Sequence, residues 1–190
     1  FWLKTRLKTL LKGLCSRGMV SPSADVSHRL ILTSNGLTSP ELQGAFREML
    51  GAAPERSTVW YVPTRDWLGR LREHAYFQQA MEKIQRDFRV GTVKMVDIES
   101  LQGQALREAV GSPEVVWVPN GNTYGISHHM RRSGAGCLIS ELVARGAIYV
   151  GISGGSIMAG SSIEVALWKA WDDPSVNGTV QVDWAAPGMA

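Results

Sequence analysis

Short apolar runs alternate along the chain with longer segments in which apolar residues recur every three or four positions. A brief run of β-branched and aromatic residues bounded by Gly, Pro or Asn is typical of a buried strand, whereas the longer spacing is typical of an amphipathic helix. The predicted strands are 28–34, 58–62, 92–96, 115–118 and 147–150. Their alternation with helices predicts an α/β fold, a three-layer sandwich in which a mainly parallel sheet carries helices on both faces.

The segments between the strands carry helix start signals. Ser39 followed by Pro40 predicts a capped helix, because the serine satisfies free backbone N–H groups and proline needs no partner at the first position. Asp66 predicts the start of a longer helix, whose period includes Trp67 and Leu71. The predicted helices are 40–49, 66–88, 101–110 and a stretch before the fifth strand that is broken around 134–136.

The fifth predicted strand ends at a Gly-x-Ser-x-Gly sequence, residues 151–155, with Ser153 at its centre. Small flanking residues let the backbone turn sharply and lift the serine hydroxyl out of the sheet, as in a nucleophile elbow. A helix starting at Gly154 would aim N–H groups at the same point, which suits a developing oxyanion. The alternative interpretation is a glycine-rich turn with an incidental serine.

Two other loops favour the functional interpretation. Residues 34–36 follow the first predicted strand, and residues 119–123 follow the fourth. Because binding sites of parallel sheets form beyond the carboxyl ends of the strands, both loops are expected to converge on Ser153. The pattern therefore predicts a functional site at this edge, with Ser153 as the candidate nucleophile.

The composition places these elements in one globular domain. The chain has 190 residues, of which 44% are hydrophobic, enough for a sizeable core. We expect a single α/β domain over 28–190. Phe1 in place of a methionine and the ending Pro187-Gly188-Met189-Ala190 indicate a chain cut at both ends, so this domain is expected to lack its C-terminal part.

Cysteine usage and hydropathy predict a compartment but no metal site. Cys15 and Cys137 share no metal-ligand or redox spacing and are interpreted as reduced thiols. We therefore expect an intracellular protein, in the cytoplasm or in an organelle. No apolar run approaches the length of a membrane span. Neither a metal nor a cofactor is predicted.

Positive charge is concentrated in residues 1–24, which hold five basic residues and no acid. Since the formal net charge is +3, the remainder carries −2, and no basic surface for nucleic acid is expected there. Leucines at helical spacing predict that 1–24 is a basic amphipathic extension. It is a remnant of an organelle-targeting peptide, a helix that docks on a partner or a membrane, or a helix packed on the domain itself.

The order of four stretches resembles that of the dipeptidase E family of serine peptidases, which includes α-aspartyl dipeptidase and cyanophycinase. The stretches are Leu-Ile-Leu-Thr-Ser-Asn at 30–35, Tyr-Val-Pro at 61–63, Gly-Asn-Thr at 121–123, and the segment 145–153 that ends at the serine. The resemblance implies a class I glutamine amidotransferase-like fold, in the broad flavodoxin-like group. It also implies a Ser–His–acid triad that cleaves short aspartyl-containing peptides.

The resemblance assigns a role to Ser153 and to backbone donors beside it. Ser153 matches the nucleophile, and the oxyanion hole would use the amide of Gly154 with one from Asn120 or Gly121. The family has three glycines before Asn-Thr, whereas this chain has Pro119 first, which offers no N–H. The family also has alanine where this chain has Gly154.

The other two members of the triad are less clear from the residues. The acid candidates are Asp172 and Asp173, with Glu164 as a further carboxylate in the same region. The family histidine follows the serine, whereas the histidines of this chain all precede it. His28 and His74 are interpreted as surface residues, and His128 and His129 as a solvated pair on a helix, with the alternative that this pair points towards the site. Either a histidine lies beyond Ala190 or the protein is inactive.

The sequence thus predicts a serine-type exopeptidase or dipeptidase that forms an acyl-enzyme on Ser153. The predicted partner is a short peptide, and the oligomeric state is not predicted. The alternative is an inactive peptidase-like protein that serves as a structural or interaction subunit. A nucleotide site is disfavoured because no Walker lysine follows the glycine-rich turn. The candidate substrate-binding residues are Ser34, Asn35, Asn122 and Thr123.

Overall fold

The computed structural model of the chain describes residues 29–66, 70 and 72–175. The strands are β1 (Leu30–Thr33), β2 (Thr58–Tyr61), β3 (Thr92–Met95), β4 (Val115–Val118) and β5 (Ile148–Ile152). The helices are α1 (Pro40–Leu50), α2 (His74–Phe88), α3 (Gly103–Val110), α4 (Thr123–Ser133), α5 (Ala135–Ala144) and α6 (Gly154–Ile157), with 3₁₀ turns at Pro54–Arg56 and Glu164–Lys169. The predicted extension 1–24 lies outside the described residues.

The five strands form one parallel sheet in the order β1-β5-β4-β2-β3. β5 lies between β1 and β4, with Leu30 opposite Tyr149 and Val118 opposite Gly151. β4 in turn lies between β5 and β2. This arrangement confirms the predicted parallel α/β fold and brings the chain segments after β1, β5, β4 and β2 to one edge.

Helices cover both faces of the sheet. From β1 through β2 to β3 the chain advances in one direction across the sheet, and from β3 through β4 to β5 it returns. Because the crossovers are right-handed, the helices of the two directions lie on opposite faces. Phe46 of α1 and Phe88 of α2 accordingly pack in one core cluster with Val59, whereas Leu106 of α3 and Ile139 of α5 pack in the other.

The helix starts differ in how well local signals predict them. The Ser39 hydroxyl accepts the Leu42 N–H at 3.3 Å and caps α1, as predicted. The predicted start of α2 at Asp66 is wrong, because the helix begins at His74. The Asp66 carboxylate instead accepts the backbone N–H of Arg70 at 2.8 Å and its Nε–H at 2.7 Å, which closes a separate turn. Trp67 and Leu71 lie outside the described residues.

The third helix is also shorter than predicted. It begins at Gly103 because the preceding turn is organised around Asp97, whose carbonyl oxygen accepts the Leu101 N–H at 3.2 Å. The predicted break near 134–136 is confirmed, since Gly134 has a φ of 80° between α4 and α5. Among the helices that the structure describes, none combines the length and apolar character needed to cross a bilayer.

Candidate active site

The segment around Ser153 is a sharp turn from strand to helix. β5 ends at Ile152, α6 begins at Gly154, and Ser153 between them has φ 51° and ψ −111°. A non-glycine residue at positive φ is strained and persists where the surrounding structure holds it. The Ser153 N–H donates to the Thr33 carbonyl at 2.8 Å, and its own carbonyl accepts the N–H groups of Ser156 and Ile157. The backbone geometry is therefore that of a nucleophile elbow.

Close packing explains the glycines on either side of the serine. A Cβ at Gly151 would lie 2.7 Å from the Gly155 carbonyl oxygen, and one at Gly155 would collide with the carbonyl of Val118. The turn thus folds back directly against β4, which only glycine permits. α6 is a single turn of four residues. Its dipole is correspondingly small, so any anion stabilisation here depends on individual N–H groups.

Two side chains fix the turn to its neighbours. The Ser156 hydroxyl accepts the Thr33 N–H at 3.0 Å and lies 2.7 Å from the carbonyl oxygens of Thr33 and Gly151, to one of which it donates. The Tyr149 hydroxyl donates to the Gly155 carbonyl at 2.6 Å. Burial raises the pKa of Tyr149, which keeps this phenol a donor. The turn is consequently bonded to both β1 and β5.

The loop after β4 is held from the side of β2. The carbonyl oxygen of Asn120 accepts the Thr64 hydroxyl at 2.8 Å and an Nη2–H of Arg72 at 3.0 Å. Two residues further on, the Asn122 N–H donates to the Arg65 carbonyl at 3.3 Å. The segment after β2 therefore supports this loop along its length.

The same loop touches the Ser153 turn on its other side. A Cβ at Gly154 would lie 2.6 Å from the carbonyl oxygen of Gly121, and a Cβ at Gly121 would lie 2.6 Å from the Arg65 carbonyl oxygen. Gly121 is thus enclosed between the segment after β2 and the Ser153 turn. The β1 loop is adjacent as well, since a Cβ at Gly36 would lie 3.5 Å from Cδ1 of Ile152. The loops expected to converge on the serine lie together.

Asp172 lies beside this junction. Its side chain is 1% exposed, and its Oδ2 accepts the Thr123 N–H at 2.9 Å, the Thr123 hydroxyl at 2.6 Å and Lys169 Nζ at 2.7 Å. Thr123 is the first residue of α4, where the helix dipole favours a carboxylate. Within the described residues, Oδ1 of Asp172 is buried and has no hydrogen-bond partner. A Cβ at Gly154 would lie 3.2 Å from Thr123 Oγ1, which places the pair next to the turn.

The second acid candidate faces elsewhere. The carboxylate of Asp173 accepts the N–H of Ser175 at 2.8 Å and its hydroxyl at 2.7 Å, and these hydrogen bonds lower the pKa of Asp173. This is an ordinary local turn. Glu164 is exposed at the start of its 3₁₀ turn. The structure therefore separates Asp172 from the other two carboxylates by burial and by its contact with Thr123.

The predicted substrate-binding residues divide into two pairs. Asn122 is 1% exposed, caps α4 by accepting the Gly125 N–H at 2.9 Å, and donates through Nδ2 to the Asp173 carbonyl at 2.8 Å. Thr123 is fully buried and bonded to Asp172. Both side chains are thus committed to internal hydrogen bonds. Ser34 and Asn35, at the end of β1, are exposed.

Comparison with known proteins shows the family to which the chain belongs. The sequence profile described as Peptidase family S51 matches residues 30–177. The chain belongs to this peptidase family. An uncharacterized peptidase of Listeria innocua serovar 6a is 25% identical over 117 residues, which cover 62% of this chain and 53% of that protein. The chain thus spans about half the length of the curated relative that it matches.

Solved structures show the same fold. A provisionally assigned peptidase E protein from Listeria monocytogenes EGD-e aligns with a TM-score of 0.64 and 23% identity, over 82% of this chain and 72% of that one. A peptidase from an acI-B1 actinobacterium aligns with a TM-score of 0.54 and 17% identity, over 70% and 57% of the two chains. At these identities the likeness shows the α/β fold alone.

The contacts of the described histidines in this S51 chain do not include the serine. His74 is exposed at the start of α2, as predicted. The interpretation of His128 and His129 as a solvated pair is wrong for His129, whose side chain is 12% exposed, and the two rings pack edge to face at 5.0 Å. His129 Nε2 lies 3.6 Å from Oε1 of Glu99, and burial lowers the pKa of His129. In the part of the chain that the structure describes, none of these imidazoles hydrogen bonds to Ser153 or Asp172. The interpretation of His28 concerns a residue outside that part.

Sequence reasoning missed the segment after β2. Thr64 lies two residues after the second predicted strand, so the rule that selected the other loops could have found it. Arg72 has no such signal, because its contact with Asn120 depends on how distant segments fold together. Lys169 contacts Asp172, three residues away, but its contact with Thr123 joins distant segments. Glu99 holds Arg65 through hydrogen bonds of 2.9 and 2.7 Å, which extends this polar edge to β3. The described residues contain no group of three or more His, Cys, Asp or Glu side chains placed to hold a metal ion.

Proposed function

We propose that this protein is a serine-type exopeptidase that cleaves short, aspartyl-containing peptides through an acyl-enzyme on Ser153. The observation that carries the proposal is the strained backbone of Ser153, whose neighbour Gly154 packs against the carbonyl oxygen of Gly121 in the loop after β4. Membership of peptidase family S51 supports peptide hydrolysis as the reaction class. The aspartyl preference comes from the resemblance of the sequence motifs to dipeptidase E.

In the proposed reaction, a base removes the proton of the Ser153 hydroxyl, and the oxygen attacks the carbonyl carbon of the scissile peptide bond. The oxyanion of the tetrahedral intermediate accepts the N–H of Gly154 and one N–H from the β4 loop. We assign this second donor to Gly121, because the carbonyl of Asn120 is turned towards β2. Collapse of the intermediate expels the amine, which takes up the proton held by the base, and water then hydrolyses the acyl-enzyme to release the acid and restore the serine hydroxyl.

We assign Asp172 as the acid of the triad. Its Oδ2 is occupied by Thr123 and Lys169, which leaves the buried Oδ1 to accept the N–H of an imidazole. Such a hydrogen bond sets the tautomer and orientation of the base. Asp173 is less suited, since it lies in a local turn with Ser175 and is not buried beside Thr123 as Asp172 is.

Labelling with a fluorophosphonate tests the nucleophile. We expect the full-length protein to be labelled at Ser153, because a serine reacts at a useful rate only when a base activates it. Ser153→Ala should abolish labelling, and Ser161→Ala, which changes an exposed serine nearby, should not. A folded wild-type protein that resists labelling would overturn the proposal and favour the inactive interaction subunit.

Paired dipeptides test the substrate class. Asp-Leu and Asn-Leu have nearly the same shape and differ in the charge of the first side chain. We expect hydrolysis of Asp-Leu with a kcat/KM at least about tenfold higher, corresponding to about 1.4 kcal/mol of transition-state stabilisation. Equal rates on both peptides would remove the aspartyl preference and leave a less selective peptidase.

A further inference from the structure

The carbonyl oxygen of Asn120 receives two hydrogen bonds from the segment that follows β2. Thr64, 6% exposed, donates its hydroxyl at 2.8 Å, and Arg72 donates an Nη2–H at 3.0 Å. The guanidinium carbon of Arg72 lies 4.5 Å from the ring centroid of Tyr76, which holds the cation in place. Arg72 forms no ion pair with an acid among the described residues. Its positive charge thus lies between this carbonyl and the Tyr76 ring.

These two hydrogen bonds determine which way the neighbouring N–H points. A trans peptide is planar, so the N–H of Gly121 is directed opposite to the carbonyl of Asn120. Since that carbonyl faces β2, and β4 lies between β2 and β5, the Gly121 N–H faces the side of β5. The next peptide has the complementary orientation, because the Asn122 N–H donates to Arg65 and the Gly121 carbonyl packs against Gly154.

We propose that Thr64 and Arg72 are positioning residues that hold the Asn120–Gly121 peptide with its N–H directed at the oxyanion formed on Ser153. This inference rests on the proposed function of the site. Donors of an oxyanion hole act because they are oriented before the reaction, so a peptide that rotates loses most of their effect. If the Asn120–Gly121 peptide flipped, it would direct a carbonyl oxygen at the developing negative charge.

The positive charge of Arg72 adds a second effect. A peptide whose carbonyl oxygen accepts hydrogen bonds becomes more polarised, and its N–H becomes a stronger donor. A charged donor polarises it more than a neutral one. Thr64 and Arg72 therefore orient the Gly121 N–H and strengthen it, without touching the substrate themselves.

Four variants of the full-length protein test the inference. Thr64→Val keeps the packing against Gly121 and removes the hydroxyl, whereas Thr64→Ser keeps the hydroxyl. Arg72→Met removes the charged donor. Arg70→Met is the matched control, because Arg70 is an exposed cation of the same segment that pairs with Asp66 and not with the β4 loop. The measurements are kcat and KM for the preferred dipeptide, the rate of fluorophosphonate labelling, and unfolding by urea.

Thr64→Val and Arg72→Met are each expected to lower kcat about tenfold and to leave KM within about twofold. Labelling should slow by the same factor as kcat, because the phosphyl oxygen occupies the oxyanion site. Together the two changes should approach the loss of about 10²-fold or more that follows removal of a whole oxyanion donor. Thr64→Ser should recover most of the activity, and Arg70→Met should match the wild type.

The outcomes separate this inference from the proposed function. A wild-type protein that neither cleaves peptides nor is labelled overturns both. An active wild type whose kcat is unaffected by Thr64→Val and Arg72→Met overturns only the positioning role. A purely structural role would lower stability without the selective loss in kcat and without recovery in Thr64→Ser, and that result also counts against the inference.

Discussion

Gly154→Ala adds a single methyl group at the point where the serine turn meets the β4 loop. The new Cβ would lie 2.6 Å from the Gly121 carbonyl oxygen and 3.2 Å from both Thr123 Oγ1 and Ile126 Cδ1. Gly154 does not have a positive φ, so its backbone conformation accepts alanine. The added methyl group is therefore opposed only by the lack of space around it. Since close carbon–oxygen contacts are about 3.3 Å, the Gly121 carbonyl must move by about 0.7 Å.

The surroundings of Gly121 resist that movement. The peptide that joins Gly121 to Asn122 donates its N–H to the Arg65 carbonyl, and the Cα of Gly121 packs against Thr64. Overpacking of this kind costs about 1–3 kcal/mol. A displacement approaching 1 Å in a catalytic arrangement costs about 10²-fold in rate. We therefore expect Gly154→Ala to lose about 2 kcal/mol of unfolding free energy and about 10²-fold in kcat.

Urea unfolding and steady-state kinetics on the same preparations measure both effects. Gly44→Ala is the control, because Gly44 is exposed within α1 and a Cβ there meets nothing within 4 Å. That substitution should stabilise the protein by about 0.5–1 kcal/mol and leave kcat unchanged. The steric reasoning is refuted if Gly154→Ala, which restores the residue typical of the family, stays within about 0.5 kcal/mol of wild type and keeps its kcat.

Two further predictions concern buried charge and pH. Asp172→Ala should lower the unfolding free energy by about 3 kcal/mol in urea melts, because it leaves Lys169, 12% exposed, without its acid; a change below about 0.5 kcal/mol would contradict this. Burial lowers the pKa of His129 in the folded protein, so the unfolded chain binds more protons than the folded protein once the pH falls below the ordinary histidine pKa of 6.5. The free energy of unfolding is therefore highest above that pH and decreases as the pH falls towards the folded pKa. Urea melts between pH 8 and pH 5 should show a smaller loss in His129→Gln, and parallel curves would contradict it.

Local signals were sufficient where neighbouring residues decide the conformation. The four residues of β4 are those predicted, because a β-branched run between Pro113 and Pro119 leaves no alternative boundary. Ser39 caps α1 through a hydrogen bond to a residue three positions away. The turn at Ser153 was predicted on the same ground, since its glycines and its strand are contiguous.

Local signals were insufficient where a side chain has two possible partners. Asp66 has the properties of a helix cap, but its carboxylate binds Arg70 and closes a turn instead. Asp172 and Asp173 are equivalent in sequence, and only burial against Thr123 distinguishes them. The sequence also did not indicate that the side chains of Asn122 and Thr123 hydrogen bond within the protein, and their contact with substrate stays a prediction.

The sequence by itself determined the order of strands and helices, the α/β class and the position of the Ser153 turn, because each depends on periodicity or on adjacent residues. Only the tertiary structure decided what surrounds that turn. Thr64 and Asn120 are 56 residues apart, and Thr123 and Asp172 are 49 apart. Such contacts follow from the strand order, which places β4 between β2 and β5 and so encloses Gly121 between two loops. No local pattern encodes that order, since it arises from how the crossovers pack their helices on the two faces of the sheet.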